Sequence, residues 1–455
     1  SEKNIGAWEM RQLPYEHPKL YNPVTGETSW MSGAAFAVRR NVFERIGGFD
    51  SRIFMYAEDV DLSWRIRALG YKLQYCPDVV IHHYSYQKKN EVKPVQYTEA
   101  IKNNLLLRYR FGSIHDILRG HYLFAQIILF HKEPFKNAKR QLIKKYMQHW
   151  KNASFFWKTR IKDKTIGKFL DWDYEINREG AFLKSKAIKN GPKVSVVVRT
   201  CQRPSVLRET LVTLRNQTYP DFEVIIVEDG KEISKTMIEQ EFSDLNIRYY
   251  ATNEKQGRSV AGNIGCQMAE GEFINFLDDD DLFFADHLET LVLGISKTKK
   301  LAAYAFAFET PIKIIKKDPY LYEVKDYVSR HKEKFNKTKL CHHNYIPIQC
   351  IMFSKKLFEE LGGFDTTLDY LEDWDLWVRY MQMTDFECVP KTTSIYRIPY
   401  EREIQNKRQD ELDQALKVVR KKHENYIINM PVSDLVQYGE ESKWEIILKK
   451  FRFNR

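Results

Sequence analysis

Two kinds of apolar spacing alternate between Lys193 and Leu277. Near-continuous runs, Val194-Ser195-Val196-Val197-Val198 and Phe222-Glu223-Val224-Ile225-Ile226-Val227, predict strands buried on both faces. Between them, Leu207, Leu211 and Leu214 fall on one helical face, and Pro204 suits the first position of that helix. A weaker strand over Ile247 to Tyr250, a helix from about Ser259, and a strand over Phe273-Ile274-Asn275-Phe276-Leu277 complete the pattern. Strands and helices in this order predict a parallel sheet of the nucleotide-binding type.

The last strand runs directly into Asp278-Asp279-Asp280-Asp281. Carboxylates clustered at a strand end place hard oxygen ligands at the mouth of a sheet, where a divalent cation and its phosphates can dock. A second acidic motif, Leu371-Glu372-Asp373-Trp374-Asp375-Leu376, lies within the span of one domain. Read singly, the first is a solvated loop and the second a helix cap. Together they provide cation-holding acids and a separate carboxylate base.

The chain also repeats itself. Phe43-Glu44-Arg45-Ile46-Gly47-Gly48-Phe49-Asp50 returns 315 residues later as Phe358-Glu359-Glu360-Leu361-Gly362-Gly363-Phe364-Asp365. Each copy leads into an acidic motif, Glu58-Asp59-Val60-Asp61-Leu62 or Glu372-Asp373-Trp374-Asp375-Leu376, and an arginine, Arg65 or Arg379, follows three residues after the leucine. The unit reads as a short helix closed by a double glycine, a loop, and a second helix opening on carboxylates. Gly362 fits the left-handed residue past a helix end, and Ser354 fits the N-cap eight residues before it. Only some thirty residues precede the first copy, too few for a nucleotide-binding half, so that copy is expected to be inactive here.

Composition adds limits. At 455 residues the chain exceeds one ordinary core, and 43% hydrophobic with 14% aromatic residues describes a folded protein. The six cysteines form no CxxC pair or regular framework, which suits a reducing cytoplasm; Cys341-His342-His343 lacks further ligands at zinc spacing. No secretory leader pattern is visible at the first residue, Ser1, and the longest apolar run of the middle segment, Tyr122 to Phe130, is too short to cross a bilayer. The net charge of +11 is uneven: Lys88 to Lys189 holds 23 Lys and Arg against 9 Asp and Glu, leaving the remainder slightly acidic.

That basic segment, about 90–190, is rich in aromatic residues, with Leu105 to Leu107, Tyr122-Leu123-Phe124, Tyr146, Trp150 and Phe155 to Trp157 predicting amphipathic helices. Two readings stand beside each other: helices that pack the two modules together, and a surface resting on anionic lipid headgroups. No recognition module for nucleic acid is present. The expected division is a partial half-module at 1–89, a helical linker at 90–190, a complete domain at 191–401 and a charged helical tail at 402–455.

Residues from Lys193 to about Pro399 resemble a family-2 glycosyltransferase of the GT-A fold. The resemblance rests on Val196-Val197-Val198-Arg199-Thr200, Gln217-Thr218-Tyr219-Pro220, Val227-Glu228-Asp229-Gly230, Gly257 with Asn263-Ile264-Gly265, Gly271-Glu272-Phe273-Ile274, Asp278-x-Asp280 and Leu371-Glu372-Asp373-Trp374. The first module, about Trp30 to Ser85, is similar to the acceptor half of a rhamnosyltransferase-like member, with Asp59 in place and His82 at that group's late histidine.

The resemblance implies a manganese or magnesium ion held by Asp280, with Asp278 or Asp281 assisting, and Asp373 as general base in an inverting transfer. It implies donor contacts from Thr200, Glu228, Asp229, Arg258, Asn263, Asp278 and Asp279, with Glu372 and Trp374 on the acceptor side. The donor would be a UDP- or dTDP-linked hexose or rhamnose, and the acceptor a glycan or lipid-linked glycan of a bacterial cell-surface polysaccharide. The site of action would be cytoplasmic, at the inner face of the plasma membrane. Three departures stand out: Glu228 replaces an aspartate, Gly262 replaces an arginine for which Arg258 is the nearest substitute, and Ile398-Pro399 follows Tyr396-Arg397 where some relatives place a histidine. Two rivals remain: a sugar nucleotidyltransferase, though Thr200-Cys201-Gln202-Arg203-Pro204 is not its glycine-rich loop, and a non-catalytic scaffold that binds glycan or protein partners.

Overall fold

The computed structural model describes residues 4–17, 19–84, 92–180, 183–188 and 190–440. The chain divides into two compact units, Ser1–Lys186 and Ala187–Arg455. The expected module boundary at Ser85, the start of the linker and the last fifteen residues of the tail lie outside the described residues.

Unit 1 comprises β1 (Ile5–Leu13), β2 (Glu27–Thr28), β3 (Phe36–Val38), α1 (Arg40–Arg45), α2 (Glu58–Ala68), β4 (Lys72–His82), α3 (Pro94–Phe111), α4 (Ile114–Phe130) and α5 (Ala138–Lys158). Its sheet runs β2-β4-β1-β3, with β4 parallel to β1 and the other pairings antiparallel. The three helices expected as a linker belong to this unit. Leu106, Leu107, Phe111, Ala153 and Phe156 share a core with Trp30, Ile53, Val60 and Trp64. The physical reason is the apolar side of α2, which the small sheet alone leaves uncovered.

Unit 2 begins with β5 (Val194–Thr200), α6 (Pro204–Arg215), β6 (Phe222–Glu228), α7 (Lys235–Glu241), β7 (Ile247–Ala251), α8 (Arg258–Met268), β8 (Phe273–Asp278), β9 (Leu282–Phe283) and α9 (His287–Thr298). It continues with β10 (Ala302–Lys316), β11 (Leu321–Val324), β12 (Val328–His331), α10 (Lys337–His342), β13 (Ile351–Ser354), α11 (Lys355–Leu361), α12 (Glu372–Tyr380), β14 (Phe386–Pro399) and α13 (Arg402–His423). Strands β7, β6, β5 and β8 are parallel, as expected. Antiparallel β13 joins β8 to β10, and the sheet ends β10-β14-β9. Apolar cores cover both faces of this mixed sheet.

The internal repeat is visible in atomic detail. Arg65 donates to Asp61 at 2.7 Å and to the Ile46 and Gly48 carbonyls at 2.9 and 2.7 Å. Arg379 donates to Asp375 at 3.0 Å and to the Leu361 and Gly363 carbonyls at 2.8 and 2.6 Å. In each copy an arginine one helical turn past an aspartate ties the acidic helix to the glycine turn. Gly362 is left-handed with φ 75°, a conformation open to glycine because it has no Cβ, and Ser354 caps α11 through the Lys356 amide.

Candidate active site

The tip of β8 and the start of α12 are joined by one buried arginine. Arg199, near the end of β5, holds both oxygens of Asp278 at 2.7 and 2.8 Å and reaches Glu372 at 3.1 Å. A guanidinium inside a buried strand must find carboxylates, and this one finds one from each acidic motif. Burial pushes the Asp278 carboxyl up, but Arg199 outweighs it and the net shift is down. Asp373 follows Glu372 and is the base candidate. Its oxygens take a hydrogen bond from the Asn344 amide and one from the Trp374 backbone, at 2.9 and 2.8 Å. Burial, reinforced by the neighbouring Glu372 charge, raises its pKa to about 7. A left-handed Leu371, φ 60°, precedes α12 and aims its N-terminus; Ala57 does the same for α2 at φ 71°.

The four aspartates have separate surroundings. Asp279 is buried and accepts from the Thr200 hydroxyl at 2.7 Å and from Arg203, and burial with the Asp280 charge raises its pKa to about 7. Asp281 is buried and accepts from the Arg397 backbone at 2.9 Å. Asp280 is the open one, its side chain 40% exposed, with Arg203 at 3.4 Å. Arg397 donates to the Asp280 carbonyl and to Glu209 at 2.6 Å, between the rings of Tyr320 and Tyr322.

The two motifs share one neighbourhood. The Tyr396 phenol accepts from Arg408 of α13. Burial raises that phenol, Arg408 opposes it, and the Asp281 and Asp373 charges both push it further up. Arg408 in turn feels Asp281 and Asp280.

Several sequence candidates sit elsewhere than expected. Glu228 is fully buried, and its carboxylate takes hydrogen bonds from the Ile233 and Ser234 amides, the Ser234 hydroxyl and Tyr249. One methylene longer than aspartate, it curls back to close its own loop. Asp229 accepts from the Gln256 and Gly257 amides at 2.6 and 2.9 Å and fixes the turn into α8. Asn263 is engaged at both ends with the Phe364 backbone, at 2.7 and 2.9 Å, so it pins the repeat's turn. Trp374 is fully buried, donating to the Leu340 carbonyl at 2.6 Å. Glu372 is buried against Arg199. Thr200 positions Asp279. Arg258 is exposed over Tyr370, and its charge helps lower Asp278. At position 262 a Cβ would meet the Phe364 ring at 2.6 Å, which accounts for glycine there. In unit 1, Asp59 accepts the Gly33 amide at 2.7 Å, and His82 ends β4 exposed beside Tyr84.

Four arginines went unassigned in the sequence reading: Arg199, Arg203, Arg397 and Arg408. Arg199 carried a signal, a charged residue within an otherwise apolar strand. The other three gave none, because their carboxylate and phenol partners lie 12 to 188 residues away.

Two family models match the chain. Residues 195–362 match Glycosyl transferase family 2, and residues 23–105 match Glycosyltransferase like family 2. The chain belongs to glycosyltransferase family 2. This glycosyltransferase is 25% identical over 262 residues to an uncharacterized glycosyltransferase of Rickettsia typhi, spanning 57% of this chain and 72% of that one. Over 104 residues it is 36% identical to the GalNAc(5)-diNAcBac-PP-undecaprenol beta-1,3-glucosyltransferase of Campylobacter jejuni, covering 22% of this chain and 34% of that enzyme. Among solved structures, S. aureus TarS 1-349 aligns at 17% identity and TM-score 0.40, over 52% of this chain and 67% of that one. The mannosyltransferase PcManGT of Pyrobaculum calidifontis, in complex with GDP-Man and Mn2+, aligns at 20% identity and TM-score 0.39, over 52% and 68%. The mixed sheet with flanking helices in unit 2 is the GT-A fold.

The donor set bears on a cation. Among the described residues no three Asp, Glu, His or Cys side chains converge on one point. Asp280 is the available carboxylate, while Asp278 is held by Arg199. One carboxylate fits a small hard cation that takes its remaining oxygens from phosphates and water.

Proposed function

We propose that unit 2 is an inverting, metal-dependent glycosyltransferase that moves a sugar from a nucleoside diphosphate to a glycan or lipid-linked acceptor. The observation that carries this reading is the Asp278–Arg199–Glu372 bridge, which ties the strand tip to the helix that bears Asp373. Asp280 would hold the manganese or magnesium ion, whose chemistry is to neutralise charge on the departing diphosphate. Arg203 and the exposed Arg258 flank the same carboxylates and can add to that neutralisation. Asp373 removes the proton from the acceptor hydroxyl as its oxygen bonds to the anomeric carbon. The bond from that carbon to the diphosphate oxygen breaks, and nucleoside diphosphate leaves. A base with a pKa near the working pH is well matched to this task. One displacement without a covalent intermediate inverts the anomeric centre.

The similarity to a beta-1,3-glucosyltransferase named for an undecaprenol-linked substrate supports a lipid-linked acceptor. On this reading the enzyme works in cell-surface polysaccharide synthesis, at the cytoplasmic side of the membrane. The donor is a UDP- or dTDP-linked hexose or rhamnose. Thermal-shift screening of sugar nucleotides with manganese identifies the donor, since binding to the folded state raises the melting point. NMR of the product then reads the anomer. A retained anomer removes the single-displacement mechanism, and stabilisation by no sugar nucleotide removes the donor assignment.

A further inference from the structure

Helices α4 and α5 form an antiparallel hairpin joined by ring contacts along their seam. Phe124 stacks on Tyr146 at 4.2 Å, His121 stacks on Trp150 at 5.5 Å, and Phe124, Ile127 and Leu142 share a core. The Ser113–Asp116 capping box fixes where α4 begins.

The outer face is apolar where water should favour polar residues. Leu118, Tyr122 and Leu129 follow one line of α4 at 64, 54 and 67% exposure. Met147, Trp150 and Trp157 follow one line of α5 at 62, 50 and 47%. Trp150 is stacked on the residue preceding Tyr122, so the two lines meet along the hairpin. Scattered exposed apolar residues are ordinary; two parallel rows on adjoining helices are not.

Charge runs alongside. From Ile114 to Lys158 there are nine Lys and Arg and two acids. Arg140, Lys144, Lys151 and Lys158 are all exposed and recur at spacings of four, seven and seven, which sets them in a row beside the apolar line of α5. Exposed Lys132 and Lys136 lie at the turn between the helices. No helix among the described residues is long and apolar enough to cross a membrane.

We propose that the outer face of the α4–α5 hairpin docks flat on an anionic lipid surface. Its apolar and aromatic rows enter the headgroup–acyl boundary, and the basic row beside them meets lipid phosphates. Charge complementarity selects this occupant: an apolar protein partner would not need the lysine row, and a nucleic acid would not need exposed Leu and Met. The proposal requires no transfer chemistry and stands or falls apart from the function of unit 2.

The test is co-sedimentation of the full chain with vesicles of phosphatidylcholine alone or with one third phosphatidylglycerol. The expected result is binding to the anionic vesicles, weakened by salt, and little binding to the neutral ones. Arg140→Gln, Lys144→Gln and Lys151→Gln together should lower partitioning roughly a hundred-fold, at about five-fold for each charge near the surface. Trp150→Ser with Leu118→Ser should lower it while retaining the salt dependence. Sugar-nucleotide turnover in solution should be unchanged in both variants. Equal binding to both vesicle types, binding unaffected by either set of substitutions, or no binding would overturn the proposal. So would a dimer, or capture of an oligonucleotide, abolished by the same substitutions in place of vesicle binding.

Discussion

Arg110 and Lys422 hold equivalent positions in the two copies of the repeat. Arg110, from α3, reaches Asp50 and Asp61 at 2.7 and 2.5 Å. Lys422, from α13, reaches Asp365 and Asp375 at 2.7 and 3.0 Å, and His423 adds a contact to Asp375 at 3.0 Å. Each cation joins the aspartate after the glycine turn to the aspartate inside the acidic helix. The repeat therefore extends beyond the matching residues, to a helix that follows the last strand of each copy.

Removing Arg110 should expose what that bridge contributes. Asp61 is buried and the Asp50 side chain is 8% exposed, and a buried pair broken on one side costs about 3–5 kcal/mol. Arg110→Met should lower the urea midpoint of unit 1, and adding Asp61→Asn should recover part of the loss. A variant as stable as the parent would show that the bridge carries no weight.

Arg199→Met should cost a similar amount, about 3–5 kcal/mol, because Asp278 and Glu372 lose their shared partner. Arg199→Lys keeps the charge but not the two-pronged grip on Asp278, so it should restore stability only in part. Full recovery by lysine would mean that charge alone, and not geometry, joins the two motifs.

Asp373 sets a pH dependence of its own. With its pKa near 7, the ionised base is lost as pH falls through that value, so kcat should decline on the acid side with a limb near 7. Asp373→Asn should reduce kcat about 10²- to 10⁴-fold and abolish the limb, with the donor KM changed by less than about three-fold. An unchanged limb in the variant would assign it to another group, with Asp279 the nearest alternative.

The same group affects stability with the opposite sign. Its folded pKa lies above the ordinary 3.8, so the fold favours the protonated acid. That contribution is complete below 3.8 and is lost as pH rises through 7. Asp373→Asn, neutral throughout, should therefore raise Tm at pH 8 and change it little at pH 4. A Tm difference independent of pH would mean that Asp373 does not change its charge across this range.

Much of this was legible from spacing. Apolar runs gave β5, β6 and β8 close to their true positions, and the duplicated Gly-Gly-Phe-Asp with its trailing arginine gave the repeat. What spacing did not reveal were partners remote in the chain. Glu228 closes its own loop and Trp374 donates to the Leu340 carbonyl, contacts that apolar spacing does not record. The basic middle resembled a linker because its buried face complements α2, thirty residues earlier, and no local pattern records that.

The most direct test of the central claim is manganese-dependent release of nucleoside diphosphate from a sugar nucleotide that stabilises the protein. The account predicts turnover by the parent chain, none above background for Asp280→Ala, and donor binding with transfer slowed about 10²- to 10⁴-fold for Asp373→Asn. Turnover at parental rates in either variant, or release of pyrophosphate in place of nucleoside diphosphate, would contradict it.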